Sequence, residues 1–361
     1  MMHRPLVGDI LDNRYLLTDN IGPSRISRVY LALDTALDNA QVALRHVTAN
    51  PDSDALQTES SMLERLHHPN LPKVIDLITD QRFGAFFVIQ YIRGDDLELR
   101  LHQQHSPFPV DTVLVWADDL LNALDYLHQQ TPLIIHANIC PRNLKQHPDG
   151  HIVLVEPAFA THNDTNNHPT NTMRPPNSTS IYAPLEQRFS TIPLSPQSDI
   201  YALGATLYHL LTATEPPDAA TRQMALAAGD SDPLRPAHLL TDSVVPERLA
   251  YVLHKAMALS PERRYASAAD MRHALQQVRQ PQHVRIVGQT SDAAYQTIQA
   301  ALHDATPETV ILIEPGTYQE SIVIEQPVTI IGQQNQGDVI IQSTDWPLHH
   351  RESCQCATSP G

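Results

Sequence analysis

Cysteine is scarce in this chain. Cys140 stands alone and Cys354 and Cys356 fall in the last ten residues, so no disulfide framework or zinc-ligand spacing is visible and a reducing compartment is expected. Lysine is as rare, with Lys73, Lys145 and Lys255 against 21 arginines. Positive charge as a whole is short: 24 Lys and Arg against 40 Asp and Glu leave a net charge of −16. That balance argues against nucleic acid or an anionic membrane as partner, because either needs a basic patch to displace counterions. No apolar run approaches the ~20 residues of a membrane span, and the opening MMHRPLVGDILDNRY lacks the apolar core of a signal peptide, so the cytoplasm is the expected location. The 20 histidines are scattered, with His67-His68 and His349-His350 as isolated pairs and no H-E-x-x-H helix, a pattern that predicts no histidine metal site.

What is present is enough for two domains in 361 residues with 42% hydrophobic content. Strands are expected at 14–17, 28–33 and 41–47, then at 73–78 and 85–91, with a helix between them over Ala55–Leu66 that Pro69 stops. From Val110 the pattern is helical, and Val115, Leu120, Leu124 and Leu127 mark one amphipathic face. Thr161 to Asn177 is almost devoid of apolar residues and reads as a loop, helices dominate from Gln187 to Gln280, and residues 281–291 read as a linker. Ala293–Asp304 then reads as a short helix carrying Tyr295, Ile298 and Leu302. Short β-branched runs follow at Val310–Ile313, Ile322–Ile324, Val328–Ile331 and Val339–Ile341, as in a β-solenoid.

Several stretches stand out against that order. Gly22-Pro23-Ser24-Arg25-Ile26-Ser27-Arg28-Val29 follows the first strand, and Val42-Ala43-Leu44-Arg45 lies in the third. His136-Ala137-Asn138-Ile139-Cys140-Pro141-Arg142-Asn143 follows the long helix, and Glu156-Pro157-Ala158 comes thirteen residues after Asn143. Further on are Tyr182-Ala183-Pro184-Leu185-Glu186-Gln187, Ser198-Asp199-Ile200-Tyr201-Ala202-Leu203-Gly204, and Arg264 within Ser260-Pro261-Glu262-Arg263-Arg264-Tyr265. In this order and spacing they resemble a bacterial eukaryotic-type Ser/Thr protein kinase domain over residues 10–280, degenerate in the manner of a pseudokinase.

The resemblance implies an α+β, bilobal protein-kinase-like fold, with a β-rich N-lobe at 10–92 and a helical C-lobe at 93–280. It also implies ATP and Mg²⁺ as the family's cofactors. Carried over position by position, the nucleotide would meet Ile21, Gly22 and Val29 at the phosphate loop, Ala43 and Arg45 on the third strand, and Ile89, Gln90, Tyr91 and Ile92 between the lobes. Lys145 would stand beneath the adenine, where the family has an apolar floor. One loop glycine of three is kept. Arg45 replaces the phosphate-binding lysine that pairs with a helix glutamate, here Glu59, and a planar guanidinium does not substitute for an ammonium. Asn138 replaces the catalytic base, and an amide cannot accept the substrate's hydroxyl proton as a carboxylate does. Cys140 replaces the loop lysine. Asn143 and Glu156 are the remaining candidates for Mg²⁺. Glu186, Asp199 and Arg264 keep the family's structural pattern, the first and last as a buried ion pair.

Residues 292–345 resemble the start of a right-handed parallel β-helix of the pectin-lyase-like type, through the helix, Pro315-Gly316-Thr317-Tyr318 and Val328-Thr329-Ile330-Ile331-Gly332. Such domains often bind polysaccharide, and about three coils are needed to bury a core. Residues 346–361 lose the alternation and are expected to be an irregular tail, from a truncated or shifted reading frame near Trp346. Three functions stay open at this point: a catalytically impaired scaffold that binds protein partners, a divergent ATP-dependent Ser/Thr kinase, and a carbohydrate-binding β-helix regulated by a kinase-like lobe.

Overall fold

The computed structural model describes residues 5–21, 29–47, 57, 60–156, 160–161, 181–188, 193–240, 245–279, 284–289, 293–306, 309–332 and 338–342. The chain divides into two units, Met1–Val278 and Arg279–Gly361.

The first unit begins with strands β1 (Ile10–Leu11), β2 (Tyr15–Asn20), β3 (Val29–Asp34), β4 (Ala40–His46), β5 (Val74–Asp80) and β6 (Gly84–Gln90). They form one antiparallel sheet in the order β1-β2-β3-β4-β6-β5. All five expected strands are present, and the short β1 adds a sixth. Side chains alternate across a strand, so Tyr30 and Ala32 of β3, Val42 and Leu44 of β4, and Phe86 and Val88 of β6 pack into one core. Val29, Leu31, Ala43, Arg45 and Ile89 therefore lie on the opposite face. Asp38 and Asn39 turn β3 into β4 with φ of 45° and 56°, a left-handed conformation that Asp and Asn tolerate.

The helix expected over Ala55–Leu66 is seen only in part, because several of its residues lie outside those described. Ser60–Leu63 are helical. It ends six residues before Pro69, since the Arg65 and Leu66 N–H groups donate to Met62 O and Leu63 O in i→i−3 turns. Leu63 and Leu66 are buried as expected.

The helical lobe contains α1 (Leu97–Gln104), α2 (Val110–His128), α3 (Leu185–Arg188), α4 (Pro196–Thr212), α5 (Ala219–Ala227), α6 (Glu247–Ala256) and α7 (Ala268–Arg279). Short strands β7 (Ile134–Ile135), β8 (Leu144–Gln146), β9 (Ile152–Leu154) and β10 (Ala160–Thr161) intervene, as two antiparallel pairs, β8 with β9 and β7 with β10. Thr161, the first residue of the expected loop, belongs to β10, and the rest of that stretch lies outside the described residues. Along α2 the buried face is Val113, Ala117, Leu120, Leu124 and Leu127 with their neighbours. Val115 is 50% exposed, contrary to expectation. At about 100° per residue it stands some 140° around the helix from Leu120. Helix α4 is buried from Ser198 to Thr212. It approaches α6 so closely at Gly204 that a Cβ there would meet the Ala256 Cβ at 2.8 Å.

The second unit holds β11 (Val284–Val287), α8 (Ile298–His303), β12 (Val310–Ile313), β13 (Gly316–Gln319), β14 (Thr329–Gly332) and β15 (Val339–Gln342). Strands β11, β12 and β14 pair in parallel in that order, and β13 pairs in parallel with β15. Val287, Ile298, Ala301, Leu302, Ile311, Ile313 and Tyr318 form its core. Three expectations are corrected. The linker expected over 281–291 contains strand β11, because Val-Arg-Ile-Val finds a parallel partner in Val310–Ile313. The helix starts at Ile298 rather than Ala293, since the Thr297 hydroxyl accepts the Ala300 N–H and the Glu320 carboxylate accepts those of Ile298 and Gln299, leaving Tyr295 bridged to Val287. Ile322–Ile324 is no strand, although Ile322 and Ile324 pack against the core. The tail 346–361 lies outside the described residues.

Candidate functional site

The cleft between sheet and helical lobe is built on a buried scaffold. Glu186, on α3, and Arg264, after α6, form a bidentate pair at 2.6 and 3.2 Å, and both are almost wholly buried. The remaining valences are used: Ser198 Oγ donates to Glu186 Oε1 at 2.9 Å, and the Arg264 guanidinium also donates to Ala258 O, Gln197 O and Leu259 O. Asp199, fully buried on α4, accepts the backbone N–H groups of His136 and Ala137 at 2.8 Å each and meets His128 Nε2 at 2.9 Å. Gln187 Nε2 holds Ala137 O at 2.6 Å. These contacts fix Ala137 at φ 57°, a left-handed conformation that a non-glycine residue keeps only when its surroundings impose it.

The segment that follows Ala137 carries the reactive positions. Asn138 donates its Nδ2 to Glu156 O at 2.8 Å, and Asn143, buried, donates its Nδ2 to Asn138 O at 2.7 Å. Val155 N–H closes the set on Asn143 O at 2.8 Å. Asn138, Asn143 and the backbone of Glu156 are thus linked, with the amide of Asn138 engaged as a donor. The partly buried Cys140 thiol is pushed up to about 12 by burial, so it stays protonated and inert. Arg142, beside it, is paired with Glu98 at 2.9 Å.

Glu156 sits at φ 54°. Burial raises its carboxyl above the ordinary value, against the pull of Arg45, Lys145 and Arg142. Arg45, opposite Val29 and Phe87 in the sheet, acts through its charge on buried His136 as well, whose value falls to about 4 chiefly through desolvation. The raised value gives a sign to pH dependence. The folded state holds the Glu156 proton more tightly than the unfolded chain, so this stabilisation is present at low pH and lost as pH rises through the folded value. Glu156→Gln is expected to raise the urea midpoint at pH 7, with the gain vanishing below the ordinary carboxylate range. An unchanged or lower midpoint at pH 7 would contradict this.

The residues expected to meet a nucleotide have these places in the structure. Ala43 lies between Leu31 and Ile89, Ile21 N–H donates to Val29 O at 3.1 Å, and Ile92 is buried. Lys145, on β8, runs beside the connection Gln90-Tyr91-Ile92-Arg93-Gly94. Its ammonium donates to Gly94 O at 2.9 Å and stands 5.7 Å from the centre of the Tyr91 ring. Gly22, Glu59, Pro157 and Ala158 lie outside the described residues. His128 and Gln187 hold the loop from the side without having been assigned a role in the sequence: no periodicity or motif marks His128, and Gln187 only closes the Tyr182–Gln187 stretch.

Comparison with known proteins agrees with this geometry. The sequence model of the protein kinase domain matches residues 15–278. Serine/threonine-protein kinase PknB of Mycolicibacterium smegmatis is 30% identical over 88% of this chain and 49% of its own length. The probable serine/threonine-protein kinase PknB of Lactococcus lactis is 27% identical over 73% of this chain and 42% of its own. The chain thus spans less than half the length of these curated relatives. Among solved structures, the PknI kinase domain of Mycobacterium tuberculosis superposes with a TM-score of 0.56 at 22% identity, over 76% of this chain and 99% of that one. No helix among the described residues is long and apolar enough to cross a membrane.

Proposed function

The chain belongs to the protein kinase domain family, and on that premise we propose that its first unit is a pseudokinase, a kinase-fold signalling module that binds protein partners without transferring phosphate. The observation that carries this reading is the donation from Asn138 Nδ2 to Glu156 O at 2.8 Å. The side chain at the base position is an amide whose nitrogen is held on that carbonyl, and its oxygen is far too weakly basic to take up the substrate's proton as a carboxylate would.

The family implies ATP and Mg²⁺, and the donor set here suits them poorly. A divalent cation would be offered one amide, from Asn143, and one carboxylate, Glu156, whose ionised form burial disfavours and on which Arg45, Lys145 and Arg142 already act. The Lys145 ammonium beside Tyr91 and Gly94 O places a charge where an adenine ring would need an apolar surface. Thermal unfolding with millimolar ATP and Mg²⁺ tests this. A ligand at 100 times its dissociation constant adds about 2.7 kcal/mol, which in a domain of this size moves the midpoint by roughly 5–10 °C. We expect no shift, and a shift of that size would overturn the reading.

One observation favours a second reading. Asn143, Asn138 O and Glu156 remain mutually held, with Glu156 in a left-handed backbone conformation, and such a frame would serve a divergent kinase using Asn143 and Glu156 for metal. For the second unit, the parallel pairing of β11, β12 and β14 and of β13 with β15 supports the first coils of a parallel β-helix, and polysaccharide is the ligand class such a surface would take.

A further inference from the structure

The hairpin of β8 and β9 ends in a tight turn remote in role from the chemistry above. Its last rungs pair Lys145 with Val153 and Gln146 with Ile152. Beyond them the His147 N–H donates to His151 O at 2.9 Å, and Gly150, at φ 101°, lets its N–H return to His147 O at 2.8 Å. Residues four apart in sequence are thereby set opposite each other. The imidazoles of His147 and His151 stack with ring centres 4.6 Å apart. Between them, at the turn, Asp149 presents one oxygen to both rings: Oδ1 is 2.8 Å from His147 Nδ1 and 2.5 Å from His151 Nδ1.

We propose that His147, Asp149 and His151 form a binding site for one late first-row divalent transition-metal ion of the zinc type, with the remaining coordination open to water. Their ligand atoms all lie within 4.8 Å of one another. Zinc–nitrogen and zinc–oxygen distances are about 2.0–2.2 Å, so three donors around one ion stand ~3.3 Å apart, and the hydrogen-bonded cluster needs only to open slightly to admit it. Two imidazoles and one carboxylate select zinc and its neighbours over Mg²⁺ or Ca²⁺, which prefer oxygen alone. The ion takes the place of the ring hydrogens that now point at Asp149, the imidazole proton residing on Nε2 instead. With side-chain exposures of 40%, 61% and 30%, the three groups are reached directly from solvent. Bound metal would pin the end of the hairpin that carries Lys145 and Gln146, so the site adds a metal-dependent brace independent of phosphotransfer.

Because the chain has 20 histidines, the test reads individual residues. Full-length chain is treated with diethylpyrocarbonate with and without zinc chloride, and modification of each histidine is followed by mass spectrometry. Zinc is expected to slow modification of His147 and His151 about ten-fold or more while leaving exposed His273 unaffected. In calorimetric titration with zinc chloride, His147→Asn and His151→Asn are each expected to weaken the tightest site more than ten-fold, with His303→Asn unchanged. Equal affinity in both hairpin variants, no zinc binding, or protection confined to other histidines would overturn the proposal. Should a variant fail to fold, the footprint on the unaltered chain decides.

Discussion

Arg264→Ala is expected to destabilise the first unit by about 3–5 kcal/mol, because it strips the buried Glu186 side chain of its charged partner and leaves Ser198 Oγ as its side-chain donor among the described residues. The midpoint of thermal unfolding should fall by roughly 6–20 °C for a domain of this size. The loss exceeds that of a surface pair, for which ~1 kcal/mol is the usual limit, since both partners are nearly inaccessible to water. The same guanidinium also lies over the Tyr201 ring at 4.9 Å and ties down the carbonyls of Gln197, Ala258 and Leu259, so three further acceptors lose a donor. Glu186→Met should be similarly harmful. The double variant Glu186→Met with Arg264→Met should recover part of the loss, because two apolar side chains remove both buried charges together. Urea denaturation of the unaltered chain, Glu186→Met, Arg264→Met and the double variant measures the coupling. A single-variant loss below ~1 kcal/mol would contradict the pair's role as a brace.

The scaffold was legible because its residues sit in short stretches of fixed order. Glu186, Asp199 and Arg264 were singled out from sequence, and Glu186 and Arg264 do meet in the interior although 78 residues separate them. What holds Asp199 was not legible. His128 closes on it from the end of α2, 71 residues upstream, and within a helical pattern a histidine at that place looks like any polar terminus. The hairpin cluster escaped for a different reason. The helical metal signature needs E-x-x between two histidines, which His147 and His151 lack, whereas a β-turn sets residues four apart face to face. Val115 was misplaced because an i, i+5 step does not keep to one helical face. Strand β11 reads as linker in the sequence because four residues are too few to reveal a period, and its partner β12 lies 26 residues on in register.

On the pseudokinase reading, loss of phosphotransfer is the second large effect, and several positions bear on it at once. A positioned general base alone contributes about 10²–10⁴-fold to rate, and Asn138 supplies none. Cys140, neutral at its raised value, cannot offset charge on a transferring phosphoryl group as an ammonium would. Arg45, whose charge acts on Glu156 and His136, offers a planar guanidinium in place of an ammonium. Since these losses act on different parts of one transition state, Asn138→Asp alone should not restore activity. The direct measurement is incubation of the full chain with γ-labelled ATP and Mg²⁺ or Mn²⁺, with and without a generic basic protein as acceptor. The pseudokinase account predicts no label on either protein. Label that accumulates with time in the unaltered chain, and is abolished by Asn143→Ala or Glu156→Ala, would contradict it.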